Sequence, residues 1–183
     1  MQYEYDGLSP EVHPDAYVCS EATLVGDVVI DSKSSVWPGA VLRGDSGPVS
    51  VGQHSHIEDN TVLHQSTVGD KVMVGHAGVI NAASVDNRVL VGMNATINKG
   101  VHVNDRCVIA PNTVIPQGRD IPSDSLVMGV PATVTPFDET EHDAESVLAT
   151  YSPEHYLEMA EKHTDLFGCT LPDPDRETFA LRE

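Results

Sequence analysis

Nine histidines stand in this 183-residue chain, and two of them fall at spacings that set them among other polar side chains. His64 is followed 17 residues on by Asn81, and Asn98 comes 17 further on; His76 is followed 18 residues on by Asn94, with Asn112 another 18 beyond. On a scaffold whose turns repeat at that length, each set would stand as a vertical ladder of side chains. A neutral imidazole is a good ligand for zinc and related metals, so His64 and His76 are candidate ligands. Two imidazoles do not by themselves make a zinc site, which takes at least three protein donors. Asparagine ladders also arise for structural reasons, because stacked carboxamides hydrogen-bond one another, and Asn94, Asn98 and Asn112 are read that way. Cys19, Cys107 and Cys169 lie far apart without C-x-x-C spacing and are expected to be buried or incidental thiols.

The scaffold that would align these ladders is written in the aliphatic residues. From Leu24 to Ile115 a valine, isoleucine or leucine recurs about every six residues. The period is clearest in Val51, Ile57, Val68, Val74, Val85, Val91, Ile97, Val103 and Ile109. A helix would need apolar positions at i, i+3, i+4 and i+7, which the run Val68-Gly-Asp-Lys-Val-Met-Val-Gly-His does not supply. Six-residue units, each a short strand and a turn, close a triangular coil of about 18 residues. The expected fold is therefore all-β, a single-stranded left-handed parallel β-helix, with a C-terminal α-helix packed along it. Residues 1–20 read as an entry segment, 21–135 as the β-helix and 136–183 as an acidic helical segment. In that last part Ser152 is the expected N-cap and Pro153 the first helical residue. Tyr156, Met159, Ala160 and His163 would line one side, and Gly168 would end the helix.

Charge excludes several partners. The chain carries 28 acidic against 10 basic residues, a formal net charge of −18. Nucleic acid and anionic membrane surfaces are thus unsuitable partners. Acid excess with a normal apolar content suits a folded protein tuned to high salt, where screening removes self-repulsion, and a halophilic source is expected. No apolar run approaches the roughly 18 residues of a membrane span, and no secretory signal pattern opens the chain, so a cytoplasmic location is expected.

The segment Val36-Trp-Pro-Gly-Ala-Val-Leu-Arg-Gly-Asp45, then Ile57-Glu-Asp-Asn-Thr-Val-Leu-His64, Val72-Met-Val-Gly-His76 and Val91-Gly-Met-Asn-Ala95, closely resembles the gamma-class carbonic anhydrases and their relatives. The likeness runs over about residues 8–135. It implies a homotrimer with a metal held between subunits, zinc in most members and iron or cobalt in others, acting on CO2 and bicarbonate. It also implies His64 of one subunit and His76 of its neighbour as ligands, Arg43 and Asp45 at the subunit contact, and Asp59 as an acidic site residue.

Three departures from the family pattern bear on that chemistry. The family's third histidine lies five residues after the second, and here that position is Asn81, whose carboxamide oxygen is a weak zinc donor. Where relatives read Asn-[Val/Ile]-Gln-Asp, this chain reads His56-Ile-Glu-Asp59. Strand alternation puts His56 and Glu58 on one face, so either could replace the missing ligand, or Glu58 could accept a proton beside the metal; a decayed site is the alternative. His54 is read as a solvated surface histidine. The loop that family members insert between the first two histidines is missing, since His64 and His76 are separated by two plain hexads. Reversible CO2 hydration is the leading expectation. The alternatives are an acyltransferase or thioesterase on the same scaffold, or a non-catalytic trimeric assembly module.

Overall fold

The computed structural model describes residues 1–163, so the expected helix end at Gly168 and Cys169 lie outside the described residues. The chain winds as a left-handed parallel β-helix with three flat faces. On the first face seven parallel strands stack in sequence order, from Tyr17–Val18 through His56–Ile57 and Met73–Val74 to Ser125–Gly129. Ala132–Pro136 then turns back antiparallel on Ser125–Gly129 and closes the stack. The other two faces are joined because Thr23–Ile30 and Val41–Val51 each run around a corner and contribute to both. The first coil already uses residues of the entry segment, since Glu11–Val12 pairs with Val29–Ile30 and Tyr17–Val18 pairs with Ser35–Val36.

The period-six aliphatics form the core as their spacing predicts. Val51, Ile57, Val68, Val74, Val85, Val91, Ile97, Val103 and Ile109 are all buried in one continuous cluster. Each such side chain contributes about 1.5–3 kcal/mol relative to an exposed one. Corners need left-handed backbone, and Asn60, Ala77, Asn94 and Asn112 supply it at one of them, with φ between 57° and 60°. Asparagine tolerates that region better than most residues because its short polar side chain can bond locally.

This column corrects one expected ladder. Asn94 donates its backbone N–H to the carbonyl of His76, as Ala77 donates to that of Asp59. Asn94 is therefore the counterpart of Ala77, and His76 stacks on Asp59. The coil at this level holds 17 residues, because Met73 pairs with Leu90, so counting 18 from His76 overshoots by one. The other ladder stands: His64 pairs directly with Asn81, and Asn98 follows the pair Ile80 and Ile97.

One insertion breaks the repeat. Ser35 and His56 are register partners although 21 residues apart, and the excess falls where residues 45–48 oppose the single residue Asp27. Two helices then cover the first face. Helix α1 (Ala144–Leu148) is capped by Asp143, whose side chain accepts from the Ser146 N–H, and α2 (Pro153–His163) follows. Ser152 caps α2 as expected, its hydroxyl accepting the His155 N–H at 3.3 Å. Met73, Leu90, Val108, Leu126, Phe137 and Ala144 form the apolar layer under α1, against Leu148, Tyr151 and Tyr156. Ala160 is buried in the main core and Met159 packs against it, while His163 meets the edge of Trp37, so the expected side of α2 is the one that docks. Among the described residues no helix is long and apolar enough to cross a membrane. Cys19 and Cys107 are buried, and burial pushes the Cys107 thiol up to about 11, which leaves it unreactive.

Candidate metal centre

The column Arg43, His64, Asn81 runs up one face in strict register. The insertion at residues 45–48 sits beside it and folds Asp45 and Ser46 onto His64. Nε2 of His64 lies 3.2 Å from Asp45 Oδ1, 2.9 Å from Ser46 Oγ and 3.3 Å from Arg43 Nη2. Nδ1 of the same ring faces Asn81 Oδ1 at 3.2 Å. The second carboxylate oxygen of Asp45 pairs with Arg43 Nε at 3.5 Å. Partial burial works to raise the Asp45 carboxyl, but the hydrogen bond with His64 and the Arg43 charge outweigh it and hold the group below its usual range. Asp45 is thus a carboxylate at neutral pH.

His76 is held in a matching way. Its Nδ1 lies 3.0 Å from Asp59 Oδ2 and its Nε2 lies 3.2 Å from Glu58 Oε2. Glu58 is nearly buried, and it also accepts the His76 backbone N–H at 3.2 Å and the hydroxyl of Tyr156. Burial, reinforced by the Glu58 carboxylate, pushes the Tyr156 phenol far above its usual range, so it remains a donor. The imidazole of His76 is half exposed, with 51 % of its side chain open to solvent. It therefore presents a fixed ring at the surface of the chain.

Sequence reasoning named Arg43, Asp45, Glu58, Asp59, His64, His76 and Asn81, and the structure divides them into these two groups. His56 stands in a third place. Its Nδ1 pairs with Ser35 Oγ at 2.7 Å, Ser35 Oγ accepts the Trp37 indole N–H at 2.8 Å, and its ring stacks on Tyr156 with centroids 5.1 Å apart. His56 and Glu58 do share a neighbour, as alternation implied, but that neighbour is Tyr156 of α2. His54, expected to be solvated, is half-buried in a left-handed corner at φ 54°. Ser46 and Tyr156 were not legible as site residues. Ser46 carries no signal beyond following Asp45, and Tyr156 reaches Glu58 from a distant part of the chain.

Burial drives the His56 pKa down to about 4. In the unfolded chain a histidine takes up its proton near pH 6.5. Between those values the unfolded state binds more protons, so the contribution of His56 is complete above about pH 6.5 and is lost as the pH falls toward 4. The full difference is about 3 kcal/mol. Wild type is expected to lose more stability than His56→Gln between pH 7 and 4.5. Urea midpoints at the two pH values measure this, and parallel losses in the two proteins would refute it.

Comparison with known proteins bears on what the two groups can do. Residues 82–117 match the family model for the bacterial transferase hexapeptide, six repeats. The chain is 36% identical over 166 residues to the mitochondrial gamma carbonic anhydrase 2 of Arabidopsis thaliana, covering 85% of this chain and 59% of the length of that protein. It is 41% identical over 135 residues to a probable carbonic anhydrase of Methanocaldococcus jannaschii, covering 71% of this chain and 84% of that one. A crystal structure of a hexapeptide transferase family protein from Anaplasma phagocytophilum superposes with a TM-score of 0.83 at 28% identity, covering 89% of this chain and 98% of that one.

Proposed function

The chain belongs to the hexapeptide-repeat family that includes the gamma carbonic anhydrases, and from that premise we propose that it catalyses reversible hydration of CO2 at a metal centre shared between subunits of a homotrimer. The observation that carries this reading is the common setting of the two histidines. Each ring has its Nδ1 on an oxygen acceptor and its Nε2 beside a carboxylate at 3.2 Å. An Nδ1–H held by an oxygen fixes the tautomer whose Nε2 lone pair is free, which is how metal-binding histidines are prepared. Among the described residues no single chain gathers three or more His, Cys, Asp or Glu side chains at one point. A site made from His64 of one subunit and His76 of the next joins the two halves. Imidazole nitrogen and carboxylate oxygen are donors that zinc accepts, with iron and cobalt as alternatives, so the residues fit the group.

When bound, such a metal acts as a Lewis acid that makes water nucleophilic near neutral pH. The protein supplies the rest. Asp59 and Asn81 orient the rings of His76 and His64. Glu58, fixed by the Tyr156 hydroxyl and the His76 N–H, is placed to take up a proton next to His76 Nε2. His56, with its neighbours Ser35 and Tyr156, serves packing under α2. Arg43 is half exposed and carries the charge for the subunit contact. Arg43→Ala is expected to shift the protein from trimer toward smaller species on a sizing column, and an unchanged trimer would remove that role.

Metal content per subunit, together with CO2 hydration rate in high salt as the acidic surface recommends, tests the whole reading. Near one metal per subunit and hydration abolished by a chelator are expected. A well-formed trimer without metal or turnover would favour the second reading, acyl transfer or thioester chemistry, which the superposition on a transferase-family structure supports.

A further inference from the structure

We propose, building on the shared-metal reading, that Asp45 and not Asn81 completes the donor set, so that the metal is held by His64 Nε2, Asp45 Oδ1 and His76 of the neighbouring subunit. The two candidates for the third donor lie on opposite sides of the His64 ring. Asn81 Oδ1 faces Nδ1 and Asp45 Oδ1 faces Nε2, both at 3.2 Å. A carboxamide oxygen can only accept, so the contact with Asn81 requires the proton on Nδ1. The guanidinium of Arg43 can only donate, so its approach to Nε2 at 3.3 Å requires a lone pair there. The hydroxyl of Ser46, 2.9 Å from Nε2, can donate to the same lone pair.

That assignment satisfies Arg43, Ser46 and Asn81 and leaves one contact unexplained. Nε2 and Asp45 Oδ1, each presenting electron pairs, face one another at 3.2 Å with no hydrogen of their own between them. Such a pair calls for a cation. Two ligands of a tetrahedral zinc at bond lengths near 2.0–2.1 Å lie roughly 3.3 Å apart, so the separation already suits two donors of one metal. Asn81 then has a different task, as the outer acceptor that fixes the His64 tautomer, a role usually filled by a carboxylate or carbonyl oxygen. Glu58 is a weaker candidate for the third donor because it already accepts from Tyr156 and from the His76 backbone N–H. The insertion at residues 45–48 acquires a purpose on this view. It is the one place where the coil lengthens, and it carries the carboxylate onto Nε2.

The resulting set of two histidines and one carboxylate is one that zinc and iron(II) both accept. The test uses the full chain, stripped of metal by a chelator and loaded with cobalt(II). A cysteine that ligates cobalt(II) gives a thiolate-to-metal charge-transfer absorption, which a cysteine near the metal but outside its donor set does not. Asp45→Cys is expected to show this absorption, and Asn81→Cys and wild type are expected to lack it. In a parallel titration, Asn81→Ala keeps one cobalt per subunit with affinity lowered about 10–100-fold, as loss of an outer hydrogen bond does. Asp45→Asn, which keeps the shape of the side chain, loses stoichiometric binding while a sizing column still shows the trimer. Absorption from Asn81→Cys but not Asp45→Cys, or stoichiometric cobalt in Asp45→Asn, overturns the assignment alone. A wild-type trimer that takes up no cobalt overturns the assignment together with the shared-metal reading beneath it.

Discussion

Gly44→Ala is expected to lower stability by about 3 kcal/mol or more and to strip the protein of metal with it. The reason is the tightness of the strand pairing just before the insertion. A Cβ on Gly44 would lie 2.1 Å from the carbonyl oxygen of Asp27 and 2.6 Å from its carbonyl carbon. These are backbone atoms of the neighbouring coil and cannot rotate away. Gly26, the register partner of Gly44, is itself left-handed at φ 70°, and its own Cβ would meet the Gly44 carbonyl oxygen at 2.8 Å. Relief requires the two coils to separate where Asp45 begins, so the contact of Asp45 with His64 opens as well. Gly118→Ala is the contrasting case. It also has φ 70°, but nothing lies within 4 Å of its would-be Cβ, so only the conformational cost of about 1–2 kcal/mol remains. Urea midpoints of the two variants measure the difference, and equal midpoints would show that the coils yield more easily than close packing allows.

His76→Ala is expected to leave the fold intact and remove metal and CO2 hydration together. The ring is half exposed and no apolar core packs around it, so its loss should shift stability by no more than about 0.5 kcal/mol. The effect on the site is of another order. Without the imidazole, Glu58 and Asp59 remain as two carboxylates with no nitrogen donor between them, and His64 loses its partner across the contact. Glu58→Gln separates binding from proton transfer. It keeps the size of the side chain and removes the base, so metal should stay while the rate falls about 10²–10⁴-fold. Metal analysis and hydration rates on the two variants give the answer. Full metal content in His76→Ala would exclude it as a ligand, and an unchanged rate in Glu58→Gln would exclude the carboxylate as proton acceptor.

Much of this was legible because the repeat ties sequence distance to spatial distance. Once the aliphatic column set the coil length, Asn81 had to stand beside His64. The same arithmetic failed at Asn94, since coils of 17 and 18 residues alternate along the stack and a single-residue error moves a side chain into the next column. The insertion at residues 45–48 was hidden because the strand from Val41 to Val51 keeps pairing on both sides of it. The short helix α1 had a visible cap in Asp143 with Ser146 three residues on, but too few turns to show a period. Contacts made by the C-terminal helix escaped altogether. Nothing in the spacing of His56 says that Tyr156 will stack on it, because that contact depends on how α2 docks and not on the repeat.

The shared site has a direct test in mixed trimers. His64→Ala and His76→Ala subunits are purified separately, stripped of metal, unfolded and refolded together, and the metal content of the reassembled trimers is measured. If each site takes His64 from one subunit and His76 from the next around a three-fold ring, neither variant alone has an intact site, yet every mixed trimer has one junction carrying both histidines. Each parent trimer should then be metal-free, and each mixed trimer should bind one metal. Mixed trimers as empty as their parents, beside a wild type that is fully loaded after the same refolding, would mean that the two histidines do not meet across the subunit contact.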